Sequence, residues 1–130
     1  MKNALVSRTL IALAACAVLA SSAQAPGIKR TLLQRQDTGM NQEAVTGIAE
    51  IAAGGESGRH FHPGTENGYV LDGEGVLEVD GEQPRNIKAG DSFAIPAERA
   101  HNARVSGNAP LKVISTYVVE KGKPLASPAK

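Results

Sequence analysis

His60, His62, Glu66 and His101 are the residues whose types and spacing could do chemistry, and that chemistry is metal binding. All three histidines of the chain fall in two short stretches, Gly54-(x5)-His60-x-His62-(x3)-Glu66-(x6)-Gly73 and Gly90-(x5)-Pro96-(x4)-His101. Two histidines one residue apart point the same way only on an extended strand, where alternate side chains share a face; on a helix they diverge. Neutral imidazole is the commonest protein metal ligand, and a carboxylate four residues on, returned by a turn, completes a mixed nitrogen and oxygen shell.

The elements that must position these groups read as β-structure. From about Thr31 onward, short period-2 segments alternate with glycine, the signature of an all-β sandwich or barrel. Glu43 to Ile51 reads as a strand, Arg59 to His62 is extended, and Pro63-Gly64 and Asn67-Gly68 read as turns. Val76 to Val79 leads into Asp80-Gly81, a dipeptide suited to a tight hairpin. Ser92 to Ile95, His101 to Val105 and Leu111 to Val119 complete about eight or nine strands. Lys121 to Lys130, with Pro124, Pro128 and three lysines, reads as a solvated, flexible tail.

Residues 1–25 are a different kind of sequence. Lys2 and Arg8 form a positive start, Leu10 to Ala20 is an apolar and small run, and Ser21 to Ala25 offers small residues for cleavage. This pattern predicts a secretory signal peptide cut near 23–25, and a periplasmic or secreted domain over residues 26–120. Leu13-Ala14-Ala15-Cys16 also looks like a lipobox, so membrane attachment through a lipid on Cys16 is the minority alternative. The single cysteine lies in this leader, which leaves the mature domain without disulfides or thiolate ligands. Without Lys2 and Arg8 the charge is 12 basic against 13 acidic residues, which gives no electrostatic reason to expect nucleic acid as a partner.

The two histidine stretches resemble the two conserved motifs of the cupin superfamily, through Gly54, His60, His62, Glu66 and Gly73 in the first and Gly90, Pro96 and His101 in the second. The resemblance is to small single-domain bacterial members, described as quercetin dioxygenase-like. It implies a jelly-roll β-barrel, or double-stranded β-helix, in which His60, His62, Glu66 and His101 hold a divalent transition metal. Fe(II) or Mn(II) is favoured, and Ni(II) or Zn(II) also suits three imidazoles and a carboxylate, whereas Ca²⁺ prefers six to eight oxygens. The second motif departs at two positions: Glu98 stands where glycine is usual, which bears on the shape of the turn before His101, and Val105 stands where asparagine is usual.

Around the ligands, Tyr69 is expected to pack at the barrel mouth, Arg59 to face the surface, Phe61 to face the core and Glu98 to sit exposed in a turn. Arg99 is a candidate for holding an anionic group. The resemblance implies a metal-dependent, dioxygenase-like enzyme acting on a small organic substrate, with Glu66 able to shuttle a proton. Fold does not fix function, so a non-catalytic periplasmic module that holds a metal or small ligand is the alternative, and a sugar isomerase or epimerase fits less well. A homodimer built at the N-terminal strand edge and a monomer both fit the sequence.

Overall fold

Residues 27–130, the part that the computed structural model describes, form an all-β structure of ten strands with no helix, and inward apolar residues alternate with more exposed ones most clearly over residues 74–79 and 111–115. The expected leader and Cys16 lie outside the described residues. In chain order the strands are β1 (Ile28–Gly39), β2 (Gln42–Ile51), β3 (His60–Phe61), β4 (Gly64–Asp72) and β5 (Glu74–Val79). They continue with β6 (Arg85–Lys88), β7 (Ser92–Ile95), β8 (His101–Val105), β9 (Leu111–Glu120) and β10 (Ser127–Pro128).

Two five-stranded sheets result, ordered β1-β2-β9-β4-β7 and β10-β3-β8-β5-β6, with antiparallel pairing throughout. Their core contains Ile51, Val70, Leu77, Ile87, Ile95, Leu111 and Val113, all buried. Strand β9 shows why register matters: Leu111, Val113, Ser115 and Val119 are buried on one period-2 face, and the same register sets Ser115 opposite Gly68 and Tyr117 opposite Glu66 of β4. The chain passes from one sheet to the other at His62-Pro63, between β3 and β4. That crossing brings His60 and Glu66 into one interior from different layers.

Several sequence expectations need correction. Asn67-Gly68 is no turn; it sits in the middle of β4. Its glycine is required by packing, because a Cβ on Gly68 would overlap the ring of Phe93 on the adjacent β7. Asp80-Gly81 does turn, with Gly81 at φ 80°, but it opens a connection running to Pro84 instead of a two-residue hairpin. Tyr69 does not pack at the mouth: β4 points Glu66, Gly68 and Val70 inward and leaves Tyr69 outward, 47% exposed.

The segment expected as a solvated, flexible tail folds back along the barrel. Ser127 pairs with Phe61 and Pro128 with His60, and the Ala129 amide donates to the Arg59 carbonyl at 3.0 Å. The Arg59 guanidinium donates in turn to the Lys130 main-chain oxygen at 2.8 Å and to Asp80 at 2.5 Å. The open edge of β3 explains the difference, since its unpaired main-chain groups accept a strand whatever its side chains.

Candidate metal centre

His60 pairs directly with His101 across β3 and β8, and their ring centroids lie 4.3 Å apart. His62, one residue past the end of β3, completes the triangle at 4.9 Å from His60 and 5.1 Å from His101. One ligand nitrogen from each of the three rings lies within 4.8 Å of the others. Glu66 reaches in from the opposite sheet, its Oε2 at 3.1 Å from both His62 Nε2 and His101 Nε2. The structure thus brings together all four residues singled out in the sequence.

The imidazoles are oriented by main-chain carbonyls. His60 Nδ1 meets the Gly58 carbonyl at 2.7 Å, His101 Nδ1 the Arg99 carbonyl at 2.9 Å, and His62 Nδ1 the Leu125 carbonyl at 2.7 Å. A carbonyl oxygen only accepts, so each Nδ1 carries the proton, and in the neutral ring Nε2 is left with its lone pair. His62 Nε2, Glu66 Oε2 and His101 Nε2 are buried and have no hydrogen-bond partner, since with Nε2 unprotonated the 3.1 Å contacts bring acceptor against acceptor. Buried polar atoms without partners are costly, and lone pairs converging on a carboxylate are satisfied together by one cation. The donor set of three imidazoles and a carboxylate fits a divalent transition ion.

Electrostatics favour an ionised Glu66 and a neutral His60. Burial pushes the Glu66 carboxyl up, but the His101 and His62 imidazoles, with a donated hydrogen bond from the Ser115 hydroxyl at 2.7 Å, outweigh it and hold Glu66 well below the usual carboxylate range. Burial drives His60 down to about 4, which keeps that imidazole neutral and ready to ligate. His101 is raised instead: burial lowers it, and the Glu66 carboxylate and Arg99 carbonyl prevail.

Three groups at the site were not singled out in the sequence. Tyr117 packs its ring 4.6 Å from that of His62, and burial, followed by the nearby Glu66 charge, raises its phenol well above the ordinary value, so the hydroxyl keeps its proton. Ser115 and the Leu125 carbonyl are the others. Ser115 and Tyr117 do carry a signal: they are polar groups on the inward period-2 face of an otherwise aliphatic strand. The Leu125 carbonyl carries none, since a main-chain acceptor has no residue identity.

The flanking residues are peripheral. Arg99 donates to the Asp80 carbonyl at 2.6 Å and braces the turn, rather than facing the histidines. Glu98 is exposed in the turn, as expected, and adopts φ 60°, the conformation a glycine takes without strain. Val105 packs against the core.

Residues 47–117 match the family described as Cupin domain. The chain belongs to the cupin family. Within it, this cupin is 31% identical over 77 residues to the uncharacterized protein MJ1618 of Methanocaldococcus jannaschii, a match covering 58% of this chain and 59% of that one. The cupin thus spans only about three fifths of that relative's length. Its fold is similar to an uncharacterized conserved protein with a double-stranded β-helix domain from Klebsiella pneumoniae, at TM-score 0.66 and 21% identity over 81% of this chain and 86% of the other. DMSP lyase DddQ from Ruegeria pomeroyi is similar at TM-score 0.66 and 19% identity, over 78% of this chain and 51% of the lyase.

Proposed function

We propose that this cupin is an exported protein that holds a divalent transition metal at His60, His62, Glu66 and His101 and acts on a small organic substrate, with dioxygenase-like oxidation as its reaction. The observation behind the metal reading is the set of three buried, unpartnered atoms, His62 Nε2, Glu66 Oε2 and His101 Nε2, turned toward one another beside His60. A divalent ion supplies Lewis-acid polarisation of a substrate oxygen, and Fe(II) or Mn(II) adds redox capacity. The chain's residues would do the rest. Ser115 fixes one carboxylate oxygen of Glu66 and leaves the other, held ionised, toward the histidines. The protonated Tyr117 phenol stands beside His62 as a donor to a bound oxyanion. The leader pattern of residues 1–25 supports export.

One observation favours the alternative of a non-catalytic metal- or ligand-binding module. His62, Glu66 and His101 are only 4%, 6% and 4% exposed, and the surface hollows at Gly73–Lys88–Gly107 and at Gly27–Glu50–Pro110 are lined by no site residue.

The test is to recover the protein from the periplasmic fraction, measure the copurifying metal, and follow oxygen uptake with diketones, catechols and flavonols. The expected result is one Fe(II) or Mn(II) per chain, lost in His62→Ala, together with uptake on at least one substrate class. Metal content unchanged in His62→Ala would refute the ligand set. No uptake by a fully loaded protein would refute the oxidation and favour the binding module.

A further inference from the structure

Two of the three site histidines are oriented locally and one is not. His60 and His101 each rest on the carbonyl two residues earlier in their own strand segment, Gly58 and Arg99. His62 rests on Leu125, 63 residues away in the returning C-terminal segment. That segment is held by few groups: the two-residue pairing of β10 with β3, the Ala129 amide on the Arg59 carbonyl, and the Arg59 guanidinium on the Lys130 main-chain oxygen.

We propose that residues 124–130 are a positioning strap for the metal centre: the Leu125 carbonyl holds His62 in the ligating tautomer and ring orientation, so docking of the strap sets metal affinity and release. This rests on the metal reading above. With the strap docked, the Nδ1 proton of His62 is fixed on Leu125 and the Nε2 lone pair faces Glu66 and His101. With the strap lifted, Nδ1 loses its partner and the imidazole is free to turn and to exchange tautomers. A metal must then pay for ordering His62 again, whereas His60 and His101 keep their own anchors. Arg59 is the second control point, because it ties the strap end to Asp80 in the β5–β6 connection.

Zn(II) is the probe, measured by competition with a chromogenic chelator on the full chain, on a chain ending at Lys123, and on Arg59→Ala. Loss of an outer partner of a ligating histidine lowers metal affinity by about 10–100-fold, which is the expectation for the shortened chain. Arg59→Ala should weaken binding less and speed Zn(II) release. Equal affinity and release in all three proteins overturns the strap while leaving the metal site standing; no Zn(II) bound by the full chain overturns both. If the shortened chain does not fold, ¹⁵N imidazole spectra of the metal-free full chain decide. His62 protonated on Nδ1, with slow exchange of that proton, is expected. An Nε2-protonated His62, or a fast-exchanging Nδ1 proton, overturns the strap.

Discussion

Replacing Glu98 by glycine should stabilise this cupin, although it deletes a side chain. Glu98 holds φ 60°, and a non-glycine residue in the left-handed region carries a penalty of about 1–2 kcal/mol. Its side chain is exposed, and its amide donates to the His62 carbonyl at 2.9 Å, a main-chain bond that glycine keeps. Glycine gains freedom in the unfolded chain, which offsets about 0.5–1 kcal/mol of the relief. The net expectation is a gain of about 0.5–1 kcal/mol, or a Tm rise of about 2–4 °C for a domain of this size, read by urea titration and thermal melting. Gly90→Ala is the mirror experiment. Gly90 has φ 94° and open space where a Cβ would go, so its loss of about 1–2 kcal/mol is conformational alone. If Gly90→Ala destabilises as stated while Glu98→Gly leaves Tm unchanged or lowers it, the strain argument at Glu98 is wrong.

Gly68→Ala should lose about 1–3 kcal/mol or more through overlap with the Phe93 ring, and Phe93→Leu in the same chain should restore part of it; a purely additive double variant would contradict that contact. Ser115→Ala strips the hydroxyl from Glu66 Oε1 and should cost the metal-free protein about 1–3 kcal/mol in urea, whereas an unchanged midpoint would mean the bond contributes nothing. Stability of the metal-free protein should peak near pH 6.5. Below that, His60, lowered to about 4, stays neutral while the unfolded chain takes up a proton, so up to about 3 kcal/mol is lost between pH 6.5 and 4; Glu66, held below its ordinary value of 4.5, adds a loss below 4.5. Above pH 6.5 the contribution of His101, whose value is raised, fades as it deprotonates in the folded state. A Tm flat from pH 4 to 8 would contradict these shifts.

The candidate site was legible because its chemistry resides in side chains of rare type at fixed offsets: three histidines in the whole chain, two of them sharing a strand face. Strands β7 and β8 were legible to the residue, bounded by Gly90-Asp91, Pro96 and the turn before His101. Asn67-Gly68 misled because the same dipeptide serves a turn or a close packing contact, and only the position of Phe93 decides between them. Ser115 and Tyr117 stand in a strand that reads cleanly from its aliphatic residues, so their polar side chains give only a weak signal beside the histidines. The C-terminal strand was illegible for a deeper reason: residues 121–130 have the composition of a solvated tail, and what orders them is the empty edge of β3, a property of the folded sheet.

The crossing at His62-Pro63 has a mechanical consequence. His60 and His101 belong to one sheet and Glu66 to the other, so an ion seated among them fastens the two layers at the point where they must separate for the barrel to open. Ligand that binds only the folded state adds stability with concentration, by about 2.7 kcal/mol at a hundredfold excess over Kd. Because the four residues span the layers, that gain should slow unfolding more than it speeds folding, so the ion would lengthen the lifetime of the folded chain as well as deepen its stability.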